Sequence, residues 1–490
     1  MKLFFSNYFN LNRKVIEDYG AVDVSLISDI PLFIDPFLIF YSDKDEYKKL
    51  HSEIIDYLFF LKSKSNTNLN TGELRAWFKF SEISQNWLGY SSNANKGRGL
   101  WIKFAKHLNN NLQSILESEG KSITKSSHLE KACLLEKGVG RDGISDFTTN
   151  LIKRYLLEFT EKFALKNLKS DQVQIFSIDR TVFDKNLQKW MPKQYTLPAF
   201  NEDYVLLTPV DILTKQDMWI NKDDFSQRLM YLPNAVENEQ LRAEINNYIR
   251  SLLAEKSTDK EYKEAVTKAA IKYPILMDVY IKQKEDSGDE AQIISNAEVN
   301  DIKFLFNQGT EKAVDYLEHN NFYNLTEDSF SESMDKLLLL KKFIEIDGYR
   351  FFYNSEGQLI SRQEKDLQLL YKLVWRADRL KRADINPETN HGRGPVDFAV
   401  SNSAKDKTLV EFKIASSTKL RQNLLKQVET YKLADTANQN SNKIYAITYF
   451  TEKELARVNY ILDDLKLNTV NWIVLIDSRN DNKESGSNSK

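Results

Sequence analysis

Gly394-Pro395-Val396-Asp397-Phe398, followed after a charged turn by Leu409-Val410-Glu411-Phe412-Lys413, is the stretch on which the fold turns. Residues 395–401 (PVDFAVS) and 407–414 (KTLVEFKI) alternate or run apolar between polar turn residues, as neighbouring half-buried strands do. Ser401-Asn402-Ser403 and Asp406 supply the turn between them. Paired as a hairpin, the two strands bring Asp397 near Glu411. Residues i and i+2 of a strand share a face, so Glu411 and Lys413 are expected on one side, with Val410 and Phe412 on the other. Two carboxylates and one ammonium then converge.

Such a group suits a hard divalent cation, Mg²⁺ or Mn²⁺, which takes one or two carboxylates and completes its shell with water and substrate phosphate. A cation held there can activate a water and offset the charge that builds on a phosphoryl group. Lys413 can position that water or meet the same charge. The chemistry implied is phosphodiester hydrolysis without histidine. Around the hairpin, residues 361–382 predict a helix carrying Glu364, Asp366 and Gln368 in its first turns. Residues 418–437 predict an amphipathic helix with Leu420, Leu424, Val428 and Leu433 on its apolar face, capped from Ser416-Ser417-Thr418. Gln427 and Tyr431, four apart, share one face of it. Residues 443–450 (KIYAITYF) read as a strand, 452–465 as a helix and 470–477 (VNWIVLID) as a last strand.

Those residues, in that order, resemble the PD-(D/E)XK nuclease superfamily. Asp397 matches its first acidic position, Glu411 and Lys413 its (D/E)XK pair, and Glu364 the acid often supplied by the preceding helix, with Asp366 as rival. Gln427 and Tyr431 match the QxxxY motif of RecB-like members. Pro395 stands two residues before Asp397 instead of beside it, a departure from the motif. The resemblance implies a multi-domain α/β protein with a C-terminal restriction-endonuclease-like α-β-β-β-α-β core over residues 345–478. It further implies Asp397, Glu411, Lys413, Glu364, Gln427 and Tyr431 as catalytic residues, with Asp397, Glu411 and Glu364 as ligands of Mg²⁺ or Mn²⁺. Its substrate is nucleic acid, DNA before RNA. A nuclease at the end of a large chain also looks like bacterial anti-phage defence proteins, which implies a phage-derived trigger. An RNase acting on host or phage RNA, or a nucleic-acid- or partner-binding protein that retains the nuclease fold, are the alternatives.

The chain has 490 residues, too many for one core, and suggests several domains. We place a mixed α/β unit at residues 1–255, a helical connector at 256–344 and a polar tail at 479–490. Gly at 16 and Pro at 9 are scarce, which favours long helices. The lone cysteine, Cys133, excludes an intrachain disulfide framework and a multi-thiolate metal site. No apolar run has membrane-spanning length and no signal peptide is evident, so a cytoplasmic location with no membrane partner is expected. The net charge of −2 exerts no global pull on nucleic acid. Residues 361–435, however, hold 15 Lys and Arg against 10 Asp and Glu, a surplus of five. Arg393, Lys419 and Arg421 are the candidate phosphate contacts in that surplus.

Near the N-terminus, AVDVSLISDIPLFIDPFLIF is rich in strand-like residues, with Asp29 and Asp35 read as turn residues before Pro31 and Pro36. The Gly-rich run from Lys137 to Ile152 opens a helix on which Asp146 is expected to be the N-cap. A phosphate-binding loop is disfavoured there, because no Lys-Ser/Thr follows and two acids sit in the run. Asp142 and Asp146 are an alternative second acidic site.

Overall fold

In the computed structural model the described residues are 3–65, 69–89, 105, 108–109, 112, 124–131, 134, 141–215, 217–253, 258–320, 328–354, 356–360, 366–370, 374, 386–387, 398–403, 406–426 and 441–482. They form a mixed α/β protein with three sheets. Among them no helix is long and apolar enough to cross a membrane.

The N-terminal part is mostly helical. Only Phe33–Ile34 (β1) of the apolar run at residues 21–40 pairs as a strand, antiparallel to Leu213–Thr214 (β5). The chain then turns into the helix Pro36–Tyr41. Pro36 stands at its first position, where the missing N–H costs nothing, and Asp35 caps it by accepting the Phe37 N–H at 2.9 Å. The Asp35 carboxylate also accepts the Trp219 N–H at 2.8 Å, which ties β1 to a distant loop. Asp146 does not cap a helix: it lies inside the helix Arg141–Leu151.

Val173–Asp184 (β2), Lys189–Phe200 (β3) and Asp203–Tyr204 (β4) form a three-stranded antiparallel sheet with the helix Lys153–Asn167 across it. Its tight turn is set by Asp184, whose Oδ1 accepts the N–H groups of Asn186 and Leu187 at 2.8 and 2.9 Å. A register shift between Ile178 and Val182, with Arg180 at φ +54°, bends the hairpin.

The C-terminal sheet has the order Ile473–Asp477 (β10), Ser441–Tyr449 (β9), Asp406–Ile414 (β8), Phe398–Ser403 (β7), Asn386–Pro387 (β6). β6, β7 and β8 pair antiparallel, whereas β8, β9 and β10 pair parallel. Parallel neighbours need a crossover, and the helix Glu452–Asp464 provides it between β9 and β10. Thr451 caps that helix through the Glu454 N–H.

The sheet has two differently covered faces. On one, Val400, Val410, Phe412, Ile444, Ala446, Val474 and Ile476 join a single apolar cluster that begins at Leu3 and runs through the N-terminal and middle helices. The helix Ser329–Ile346, which crosses the boundary placed at residue 344 between the connector and the C-terminal unit, lies along β7 to β10 on this sheet. It is pinned at both ends: the Ser329 and Thr408 hydroxyls are 2.8 Å apart, Lys341 donates to the Leu475 carbonyl at 2.6 Å, and Glu345 accepts the Asp477 N–H at 2.9 Å. On the other face Tyr445, Ile447, Tyr449, Leu420, Leu424, Val458, Ile461 and Leu462 form a separate small core.

Candidate functional site

The antiparallel register of β7 and β8 pairs Phe398 with Val410 and Val400 with Thr408. In β8, Thr408, Val410 and Phe412 are at most 1% exposed and face the large core. The alternate residues Glu411 and Lys413 therefore face the small core, beside Tyr445 and Ile447, their partners on β9.

At this place the Glu411 carboxylate lies between two ammonium groups. Lys443, from the start of β9, is in direct contact with Glu411 Oε1. Lys413 Nζ is 3.9 Å from Oε2. The side chains of Glu411, Lys413 and Lys443 are 11, 12 and 14% exposed, so the cluster is largely withdrawn from water. A carboxylate can be buried like this only when cations or donors offset its lost hydration. The Lys443 ammonium also lies 5.1 Å from the centre of the Tyr445 ring.

The turn after β8 is held from the crossover helix. Arg457 donates to the carbonyls of Ala415 and Ser417 at 2.5 and 2.9 Å, fixing the exit of β8 toward the helical residues 420–426. Lys419 is exposed at that turn. Arg421 makes a two-pronged contact to Asp464 Oδ2, at 3.0 Å from Nε and 2.6 Å from Nη2, so it can meet a phosphate only by trading that partner. Asp397, Glu364, Arg393, Gln427 and Tyr431 lie outside the described residues.

Asp366, the rival of Glu364, is placed elsewhere. Its carboxylate is 3.3 Å from Lys215 Nζ, and both side chains are 3% exposed. Lys215 also donates to the Ile360 carbonyl at 2.8 Å.

Residues 10–221 match a family model described as a domain of unknown function, DUF8370, and residues 329–452 match a second, DUF8371. No curated protein and no solved structure matches the chain. The second matched block opens at the first residue of the helix Ser329–Ile346 and includes β6 to β9, and with them Glu411, Lys413 and Lys443.

The second acidic group foreseen in the sequence is a neighbourhood of like charges. Burial first, and then the carboxylates of Glu82, Asp142 and Asp29, push the Asp146 carboxyl up to about 7. Among the described residues no group of three or more His, Cys, Asp or Glu is placed to hold a metal ion.

Neither Lys443 nor Arg457 stood out in the sequence. Strand periodicity does put Lys443 on the face of Tyr445 and Ile447, but its approach to Glu411 depends on the β8–β9 register, which pairs Leu409 with Lys443.

Proposed function

We propose that the C-terminal sheet carries a metal-dependent phosphodiester hydrolase acting on nucleic acid, DNA before RNA. The observation that carries this reading is the buried Glu411 carboxylate with Lys413 beside it on the same face of β8. The hairpin followed by the parallel β9–helix–β10 unit accords with the nuclease core that the motifs resemble.

The donor chemistry fits Mg²⁺ or Mn²⁺. Glu411 is a hard oxygen donor, largely withdrawn from water, with no thiolate or imidazole beside it among the described residues. Glu411 and Asp397 would hold the ion, which when bound supplies Lewis acidity and a water of lowered pKa. Lys413, held on the same face, orients that water or meets the developing phosphoryl charge. The small core beneath keeps these side chains in place. Lys419 on the exposed turn is a described candidate for tracking the phosphate backbone.

The test is direct. Full-length protein is incubated with Mg²⁺ or Mn²⁺ and linear duplex DNA, circular duplex DNA, single-stranded DNA or RNA. Cleavage is expected, and Glu411→Gln and Lys413→Ala should each lower it by orders of magnitude in a folded protein. Undiminished cleavage by both variants would sink the proposal, and cleavage confined to RNA would correct the substrate class.

A further inference from the structure

Resting on that reading of Glu411, we propose that Lys443 is an internal rival of the divalent ion, and that loading the ion requires its ammonium to leave the carboxylate. Two lysines approach Glu411, but differently. Lys413 stands off at 3.9 Å from Oε2. Lys443 is in direct contact with Oε1. A Mg²⁺ ion takes carboxylate oxygens at about 2.0–2.1 Å and needs near-octahedral space around them. An ammonium already touching the same carboxylate repels that ion strongly in a pocket from which water is largely excluded. Ion and ammonium therefore compete for the one carboxylate.

The geometry also gives Lys443 somewhere to go. Its four-carbon stem is flexible, and the Tyr445 ring lies with its centre 5.1 Å from the ammonium. An ammonium within about 6 Å of a ring centre is attracted to the aromatic face. A small rotation of the stem exchanges the carboxylate for the ring without exposing the charge to a wholly apolar wall. The position of Lys443 in the sheet enforces the competition. Parallel pairing sets it opposite Leu409, one step along the same face from Glu411. Lys443 is thus a positioning residue that weakens metal binding.

The experiment measures metal affinity. Mn²⁺ binding to the full-length chain is followed by the electron paramagnetic resonance signal of the free ion, for the unaltered protein and for Lys443→Gln, Lys443→Arg and Glu411→Gln. Glutamine keeps a hydrogen-bond donor for the buried carboxylate but removes the charge. We expect Lys443→Gln to bind Mn²⁺ about tenfold more tightly, the effect of about one close charge interaction lost. Lys443→Arg should stay near the unaltered value, and Glu411→Gln should bind more weakly. If binding depends on Glu411 but Lys443→Gln is no tighter, the rivalry is overturned. If Glu411→Gln binds as well as the unaltered chain, the metal site at Glu411 itself fails, which is a separate outcome.

A second measurement needs no substitution. Reductive methylation of Lys443, quantified by peptide mass spectrometry, should speed up at saturating Mn²⁺ as the ammonium leaves the carboxylate. An unchanged rate would also overturn the proposal, even if Lys443→Gln failed to fold.

Discussion

The Lys215 ammonium and the Asp366 carboxylate lie 3.3 Å apart, each side chain 3% exposed, and join the segment after β5 to a helix that precedes the C-terminal sheet. Removing one member of such a pair takes a close counter-ion from a buried charge, at a cost of about 3–5 kcal/mol, whereas replacing both with apolar groups can be neutral. Lys215→Met is therefore expected to lower the urea midpoint of unfolding sharply, and Lys215→Met combined with Asp366→Leu to recover most of the loss. Equal midpoints for the single variant and the unaltered protein would contradict this.

Asp146 makes stability depend on pH in a stated direction. Its folded carboxyl is raised to about 7, above the unfolded value of about 3.9, so the folded state holds that proton more tightly. The contribution is fully present below about pH 4 and is lost as pH rises through about 7. Asp146→Asn removes the penalty that ionisation brings. We expect it to stabilise the protein at pH 8 by roughly 2–4 kcal/mol, with little effect at pH 4. Midpoints of unfolding measured at both values check it, and a gain of equal size at pH 4 would argue against the titration.

Metal dependence follows from the proposed site. Cleavage should vanish with EDTA and return with Mg²⁺ or Mn²⁺, while Ca²⁺ should support nucleic-acid binding better than hydrolysis. Binding measured in Ca²⁺ should weaken steeply with salt, each neutralised phosphate adding about 0.9 to the log–log slope for duplex DNA. Full cleavage by a chelator-stripped sample would remove the basis of the prediction.

Gly288 opens the helix Gly288–Lys303 beneath the ring of Tyr41. A Cβ there would be driven into that ring, whose hydroxyl is tied to Asp289 at 3.1 Å. Gly288→Ala should cost about 1–3 kcal/mol through overpacking. Thermal unfolding should show part of that loss recovered when Tyr41→Leu is added, and no recovery would point to a backbone effect instead.

Strand periodicity carried much of the C-terminal sheet into view. It located the β7–β8 hairpin and put Glu411 and Lys413 opposite Val410 and Phe412, because a two-residue repeat assigns faces without knowledge of neighbours. The strand at 441–449, the helix Glu452–Asp464 and the strand Ile473–Asp477 were legible for similar local reasons. Lys443 was not, since a parallel partner arrives after a long crossover and no local pattern specifies its register. The N-terminal apolar run misled in another way. Its residues are strand-like one by one, but Asp35 and Pro36 start a helix, and the run is buried as irregular chain and one short strand. Asp146 shows the same limit, for the helix that contains it begins earlier and places the carboxyl in its middle.

The shared apolar cluster has a consequence for inheritance. Val410 and Phe412 back the candidate catalytic face while resting in a core that also includes Phe4 and Phe37. A recombination breakpoint between the two matched blocks would keep the helix Ser329–Ile346 on that face but remove the N-terminal part of the shared cluster, exposing apolar side chains that now rest in it. The two blocks are thus poor material for shuffling into unrelated genes one at a time, and a lineage that keeps the C-terminal sheet is under physical pressure to keep its N-terminal companion.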